Sequence, residues 1–368
     1  MENSKKKSIE SLETSLKSFK KLLTSFGGGQ SSNSGSSKKE SPSSKESSQG
    51  SSNSPASNSD LMNEGNSDKE VHDPNINVPT DLGQFTCNYG KEDSNEEFEY
   101  LSPSDRVEAS REGMLNCIIK YIWQGNFSSP DIREKLKSGA RVLDVGCGAG
   151  SWILDMSTAY PNSTFVGIDV SCIFPTKNSP PNVGFLECNI LNVNGIPFPD
   201  ETFDFVYQRF MWSSLNENQW VSVIHDLARV TKKGGVLELM ELDNTWEDKG
   251  TITNFLFNFS NDQYRAKGIN PHIILEIPRM IEETGMLADI NHDNRTVPLG
   301  GWGGKLGDMM LRHVIQGFET LKPAMTKMMR KSTEECDNML KEFGKECEEL
   351  KFYIRQYRFW CKKLESTS

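Results

Sequence analysis

The chain has 368 residues, with 41 basic and 51 acidic side chains and a formal net charge of −10. This acidic balance argues against a broad basic face, so no nucleic-acid partner is expected. No apolar run reaches the roughly 18 residues of a membrane span, and no secretion signal is recognisable, which predicts an intracellular protein in the cytoplasm or the nucleus.

The first quarter of the chain is predicted to lie outside the folded domain. Within residues 1–26, apolar side chains recur at spacings of three and four among lysines, which predicts a short amphipathic helix. Such a helix could bind a protein partner or an anionic membrane surface, or it could stay unfolded in isolation. Residues 27–95 are rich in serine, glycine and asparagine and then acidic, which predicts a disordered linker before a folded domain at 96–368.

Helical and strand-like segments alternate from about residue 105 onward. This alternation is typical of a parallel sheet wrapped by crossover helices, and it predicts an α/β fold. We expect helices at 105–123, 273–284, 306–321 and 332–350, and strands at 141–145, 164–168, 183–187, 203–207, 236–241, 289–297 and 352–362.

A glycine-rich turn follows the first predicted strand and precedes a helix. Its sequence is Gly146-Cys147-Gly148-Ala149-Gly150, and glycine there allows a ligand to approach the backbone closely. The spacing is GxGxG, whereas dinucleotide-binding dehydrogenases use GxGxxG, so an NAD-dependent reductase is the disfavoured alternative. The second strand ends at Asp169, 19 residues after Gly150, where a carboxylate can accept hydrogen bonds from ribose hydroxyls or cap a helix.

Four ordered segments resemble the class I S-adenosylmethionine-dependent methyltransferases: LDVGCGAG at 143–150, GIDVS at 167–171, IPFPDETFDFV at 196–206 and ARVTKKGGVLEL at 228–239. A closer resemblance, to the fungal LaeA-like methyltransferases, covers nearly all of 98–363 and is carried by YLSPSD at 100–105, WQGNFSSP at 123–130, FDFVYQR at 203–209 and TVPLGGW at 296–302. It implies a Rossmann-like, seven-stranded, mostly parallel sheet with helices on both faces and an antiparallel last strand. It also implies S-adenosylmethionine as the cofactor and no defined substrate.

The resemblance also implies which residues bind the cofactor. In the family the glycine loop contacts the methionine part, the acid after the second strand holds the ribose, and the residues after the third strand face adenine. Many members carry an aspartate where this chain has Asn189. The carbonyl oxygen of this asparagine can still accept a hydrogen bond from adenine. Asp144, at the head of the glycine loop, resembles the family acid near the cofactor's ammonium group, although it could instead hold the loop amides. The predicted cofactor residues are Asp144, Gly146, Cys147, Gly148, Gly150, Asp169, Val170, Asn189, Ile190 and Gln208.

Methyl transfer is an in-line displacement, so the protein must chiefly align the nucleophile and exclude water, and a base is optional. Ligands of open parallel sheets bind at the carboxyl ends of the strands. The candidates for catalysis there are Arg209, Asp243 and His272, although an ion pair of Arg209 with a neighbouring acid such as Asp169 or Glu241 is an equal alternative. The aromatic candidates for a substrate pocket, which could also be core residues, are Tyr100, Trp212, Trp246 and Trp302. The eight cysteines lack metal-binding spacing, and no metal site is predicted.

Two functions remain open from the sequence. The first is an active methyltransferase acting on an oxygen or nitrogen nucleophile of a small molecule or a protein. The second is a regulatory protein that binds the cofactor with little catalysis and joins a partner through its N-terminal helix. Residues 247–272 form a longer connection than a strand-to-helix link needs, which predicts a lid over the substrate.

Overall fold

The computed structural model describes residues 106–175, 179–245 and 250–365, and for 106–108 it describes the backbone alone. The predicted N-terminal helix, the predicted linker, Tyr100 and Trp246 lie outside the described residues. Within the described ranges, no helix is long and apolar enough to cross a membrane.

The described residues form helices and strands that alternate along the chain. The helices are α1 (Arg106–Trp123), α2 (Ile132–Ser138), α3 (Ser151–Ala159), α4 (Glu217–Val230), α5 (Thr251–Ala266), α6 (Ile277–Glu283), α7 (Gly304–Met329) and α8 (Thr333–Leu350). The strands are β1 (Arg141–Val145), β2 (Thr164–Asp169), β3 (Val183–Glu187), β4 (Phe203–Arg209), β5 (Thr231–Asp243), β6 (Leu287–Pro298) and β7 (Tyr353–Lys363).

The seven strands form one sheet in the order β3-β2-β1-β4-β5-β7-β6. Strands β1 to β5 pair in parallel, and β7 runs antiparallel to both of its neighbours. The central strands are apolar along almost their whole length because helices cover both faces of the sheet. On one face α4 and α6 pack over β1, β4 and β5, and on the other α1, α2 and α3 pack over the same strands. This architecture confirms the predicted Rossmann-like fold.

The strands and helices differ from the predicted bounds where local backbone chemistry intervenes. The predicted helix at 273–284 is a short 3-10 turn, Ile273–Leu275, followed by α6. Pro278 lies in the first turn of α6, a position that tolerates its missing N–H, so the proline marks a new helix start. Helix α7 continues past the predicted end at 321 and contains Pro323.

A third apolar cluster lies beside the sheet rather than on its faces. Helices α5, α7 and α8 pack against one another and against the end of β7, with Leu256, Phe343 and Ile354 buried between them. The segment predicted as a lid therefore contains the helix α5. Together with α7 and α8, this helix forms what we call the helical cover. The cover places α5 and α7 next to the carboxyl end of β4.

Candidate functional site

The glycine loop joins β1 to α3 in a backbone conformation that favours glycine. Gly146, Gly148 and Gly150 have φ angles of +69°, +54° and +74°, a left-handed region that costs an L-residue roughly 1–2 kcal/mol. The amides of Gly146 and Cys147 donate to the carbonyl oxygen of Ile168 on β2, at 2.8 and 3.0 Å. A Cβ on Gly150 would lie 2.7 Å from the ring of Phe185. The loop is therefore held close to β2 and β3.

Two carboxylates accept hydrogen bonds from the loop amides. Asp169 accepts from Gly148 N through Oδ2 and from Ser171 N through Oδ1, both at 2.8 Å. Glu112 on α1 accepts from Ala149 N at 2.8 Å. A dinucleotide-binding loop keeps these amides for a pyrophosphate. Because carboxylates engage them here, the loop repels phosphate, which disfavours the NAD alternative.

A cavity of about 320 Å³ opens at this loop. Seven of the ten predicted cofactor residues line it, namely Gly146, Cys147, Gly148, Asp169, Val170, Asn189 and Ile190. Arg209 and Trp212 line it as well. Asp144, Gly150 and Gln208 lie behind this wall and not on its surface.

Asp144 and Gln208 are buried, at 1% and 0% exposure. In the part of the chain that the structure describes, their side-chain polar atoms have no hydrogen-bond partner. The pKa of Asp144 is raised to about 8, chiefly by burial, with Arg209 lowering it and nearby Asp169 and Glu112 adding to the rise. Asp144 is therefore mostly neutral at pH 7.

Asn189 lies on the cavity wall after β3. Its side-chain oxygen accepts a hydrogen bond from Leu191 N at 3.0 Å, which forms a tight turn. One lone pair of the amide oxygen is thus engaged within the chain. An aspartate at this position could make the same turn and keep a second, charged oxygen for a ligand.

The three candidates for catalysis occupy different surroundings. Arg209 reaches the cavity and donates to Asn116 Oδ1 at 2.8 Å, rather than pairing with the acids considered from the sequence. Asp243 is buried, accepts from Thr245 N at 2.9 Å and lies 3.8 Å from Arg355. His272 is half-buried and donates its backbone amide to Asn270. Neither Asp243 nor His272 lines the cavity.

The two described aromatic candidates, Trp212 and Trp302, lie in different parts of the structure. Trp212 lines the cavity and packs edge-on against Tyr264 of α5, with ring centroids 4.9 Å apart. Trp302 lies away from the cavity, donates to Leu299 O at 3.1 Å and packs against Tyr353 at 4.8 Å. Of the two candidates that the structure describes, Trp212, which follows β4, is the one that contacts the site.

A buried acid fixes the loop that carries Trp212. Glu241 on β5 accepts from Met211 N at 2.9 Å and from Trp212 N at 3.1 Å. Burial raises the pKa of Glu241 to about 8, and the two amides oppose the shift. Because Met211 Sδ lies directly over Gly146, this loop also covers part of the glycine turn.

Sequence analysis missed most of the wall opposite the glycine loop. Helices α1, α5 and α7 supply it with Arg111, Phe257, Ser260, Tyr264, Met310, His313, Val314 and Phe318. Arg111 Nη1 donates to His313 Nε2 at 2.9 Å. The predicted lid segment includes Phe257 and Tyr264, but no short motif marks α7, whose residues lie far from the glycine loop along the chain.

Comparisons with known proteins identify the central part of the chain. Residues 142–235 match the methyltransferase domain family. The chain is 32% identical over 168 residues to the secondary metabolism regulator laeA of Coprinopsis cinerea, a match that covers 44% of this chain and 39% of that one. It is 30% identical over 147 residues to the methyltransferase str2 of Strobilurus tenacellus, covering 39% and 49%. The matches thus span less than half the length of either relative.

One solved structure is also similar to part of the chain. The phosphoethanolamine N-methyltransferase 2 of Haemonchus contortus, in complex with S-adenosyl-L-methionine, is 16% identical, with a TM-score of 0.41. The match covers 71% of this chain and 59% of that one.

Proposed function

We propose that this chain, whose residues 142–235 match the methyltransferase domain family, is a class I methyltransferase similar to LaeA-like proteins, and that it transfers a methyl group from S-adenosylmethionine to an oxygen or nitrogen nucleophile of a small molecule or a protein. One observation carries the proposal. The cavity that begins at the glycine loop continues between α5, α7 and the carboxyl ends of β4 and β5, so a donor and an acceptor can share one enclosure.

The residues at the loop fit this cofactor, which is a cation at its sulfonium and its ammonium group. Gly146 and Gly148 line the cavity, so a ligand there can approach the backbone of the loop, and two acids, Glu112 and Asp169, line the same cavity. We assign Glu112 and the glycines to the methionine part, Asp169 to the ribose, and Asn189 to the adenine. When bound there, S-adenosylmethionine supplies an activated methyl group.

The chain's own residues align the acceptor and exclude water. Glu241 holds the loop of Met211 and Trp212 over the glycine turn, and α5 and α7 close the opposite side. The titratable side chains on that side are poor bases. Burial and the Arg111 charge lower the pKa of His313 to about 3, and burial raises the pKa of Tyr264 to about 12. His313 and Tyr264 are therefore not the groups that would take a proton from the nucleophile.

Calorimetric titration of the full chain with S-adenosylmethionine, and separately with NADH, tests the cofactor assignment. We expect saturable binding of S-adenosylmethionine alone, lost in Asp169→Ala and in Gly148→Arg. The next step is transfer of a labelled methyl group to components of a cell extract, with Gly148→Arg as the inactive control. Binding of NADH but not of S-adenosylmethionine would overturn the proposal.

A second function is a regulatory protein that binds the cofactor with little catalysis. One relative carries the name of a secondary metabolism regulator, and His313 and Tyr264 on the cavity wall are not poised as proton acceptors at neutral pH. The predicted N-terminal helix would then join a protein partner. Labelled-methyl transfer by the unmodified protein, absent in the control variant, decides against this function.

A further inference from the structure

Arg209 ends strand β4 and lines the cavity that begins at the glycine loop. We infer that its guanidinium binds the α-carboxylate of S-adenosylmethionine and that Asn116 of α1 holds the guanidinium in position. The inference rests on the proposed methyltransferase function and names the residue that meets the negatively charged group of the cofactor. It follows from the register of the sheet, the contacts of α1 and the different surroundings of the two arginines that line the cavity.

The register of the sheet places Arg209 next to the start of the glycine loop. Strands β1 and β4 are parallel, and the last pair in register is Val145 with Gln208. The next residues, Gly146 and Arg209, therefore lie at the same level of the sheet. Because side chains alternate between the two faces of a sheet, Arg209 projects to the face of Tyr207, which α1 and α3 cover.

Helix α1 directs two polar side chains toward the same loop. Glu112 and Asn116 are four residues apart, so they share one side of the helix. Glu112 accepts from Ala149 N at 2.8 Å, and Asn116 Nδ2 donates to Ser151 O at 3.3 Å. Asn116 Oδ1 accepts from Arg209 Nη1 at 2.8 Å. Asn116 thus connects Arg209 to the first residue of α3, directly after the glycine loop.

An acid and a cation beside one loop match the methionine part of the cofactor, which carries an ammonium and a carboxylate group on the same carbon atom. Glu112, which we assign to this part, supplies the negative charge, and Arg209 supplies the positive charge. A guanidinium has five N–H groups, and the bond to Asn116 uses one of them. The same guanidinium can therefore also bind a carboxylate, at one or two points.

Buried Asp144 lies near Arg209 without forming a hydrogen bond to it. Burial raises the pKa of Asp144 to about 8, and the Arg209 charge opposes this shift, so the guanidinium lies near the head of the glycine loop. In the described part of the chain, the carboxyl oxygens of Asp144 have no hydrogen-bond partner. Asp144 therefore does not take up the N–H groups of Arg209.

The other arginine that lines the cavity, Arg111, belongs to the opposite wall. Its Nη1 donates to His313 Nε2 of α7 at 2.9 Å, and its charge acts on Tyr264 of α5. These contacts hold Arg111 at the helical cover, whereas Asn116 holds Arg209 at the glycine loop. Arg209 is therefore the better placed of the two to meet a carboxylate at the loop.

Calorimetric titration of the full chain with two ligands tests the inference. The ligands are S-adenosylhomocysteine and its decarboxylated analogue, which keeps the adenosine, the thioether and the ammonium group but has a hydrogen atom in place of the carboxylate. We expect S-adenosylhomocysteine to bind at least about tenfold more tightly than the analogue. Arg209→Gln should reduce this affinity ratio about tenfold, and Arg209→Lys should retain part of it. Arg111→Gln is the matched comparison and should leave the ratio within about twofold of its original value.

Asn116→Ala tests the positioning role separately. We expect this substitution to reduce the affinity ratio about threefold, because Arg209 keeps its charge but loses the hydrogen bond that orients it. In an Arg209→Gln background, the same substitution should leave the ratio unchanged. A merely structural role of Asn116 would instead weaken both ligands by the same factor in either background.

Each ratio compares two ligands in one protein sample, so a partly folded variant does not distort it. Equal affinities in the unmodified protein overturn the inference even where no variant folds. A ratio that Arg209→Gln leaves intact also overturns it, and a ratio that falls in Arg111→Gln instead assigns the carboxylate to the opposite wall. An unchanged ratio in Asn116→Ala contradicts the positioning role. Failure of the unmodified protein to bind either ligand would contradict the proposed function itself.

Discussion

Replacing Gly148 by alanine tests whether α1 and the glycine loop are packed as one unit. The φ angle of Gly148 is +54°, and an added Cβ would lie 2.6 Å from Glu112 Oε1 and closer still to Oε2. The carboxylate must then move, and its hydrogen bond from Ala149 N is lost. Gly148→Ala therefore strains the backbone and also displaces the acid that we assign to the cofactor.

The size of the effect follows from these two contributions. The left-handed conformation costs alanine roughly 1 kcal/mol relative to glycine. Loss of a charge-assisted hydrogen bond costs about 1.5–3 kcal/mol, so Gly148→Ala should lower the free energy of unfolding by about 3 kcal/mol. Glu112→Ala loses the same hydrogen bond. The double variant loses it only once, and the two substitutions should couple by about 2 kcal/mol.

Urea unfolding and calorimetric titration with S-adenosylmethionine, run on the unmodified protein, both single variants and the double variant, measure this coupling. Gly285→Ala is the control, because its φ is +63° and an added Cβ would meet nothing within 4 Å. It should cost only the backbone strain, roughly 1 kcal/mol. Additive effects of Gly148→Ala and Glu112→Ala, within about 0.5 kcal/mol, would refute the packing argument. A Gly285→Ala effect as large as that of Gly148→Ala would refute it as well.

Three further substitutions probe the rest of the site. Asn189→Asp should bind S-adenosylmethionine about fivefold more tightly by calorimetry, because a charged oxygen accepts a stronger hydrogen bond from adenine, and unchanged affinity would contradict the adenine assignment. Asp144 has a pKa raised from 3.8 to about 8. The folded state therefore holds this proton more tightly than the unfolded state, and stability is lost as the pH rises between these values. Asp144→Asn should reduce the loss measured by urea unfolding between pH 6 and pH 8 by up to about 1.4 kcal/mol per pH unit, and parallel profiles would count against this assignment. Glu346 on α8 accepts from Ile252 N at 2.9 Å and from Thr253 N at 2.7 Å, so it caps α5. Glu346→Gln should weaken the cap by about 1 kcal/mol and raise hydrogen exchange in 251–266 about fivefold, with cofactor affinity unchanged, whereas unaltered exchange would show that α5 is held by its packing alone.

Much of the fold could be predicted because its signals are local. Apolar runs bounded by turns identified all seven strands, although β5 begins five residues earlier, at Thr231, than the predicted start at 236. The glycine loop and Asp169 were found because a strand, a turn and a helix follow one another directly in the chain. In each case the residues that act together are also close in sequence, so spacing alone brings them to one edge of the sheet.

The wall of the cavity that α1, α5 and α7 supply depends on contacts between residues far apart in the chain, which no local sequence pattern indicates. Glu112 meets the glycine loop across 37 residues, and Arg111 meets His313 across 202. Trp302 shows the converse, since an aromatic side chain in a family motif packs against Tyr353 and not in the cavity. Periodicity determines that a segment is a helix and which face is apolar. Which faces meet is decided when α1, α5, α7 and the sheet pack together, because the buried surface and the paired charges belong to all of them at once.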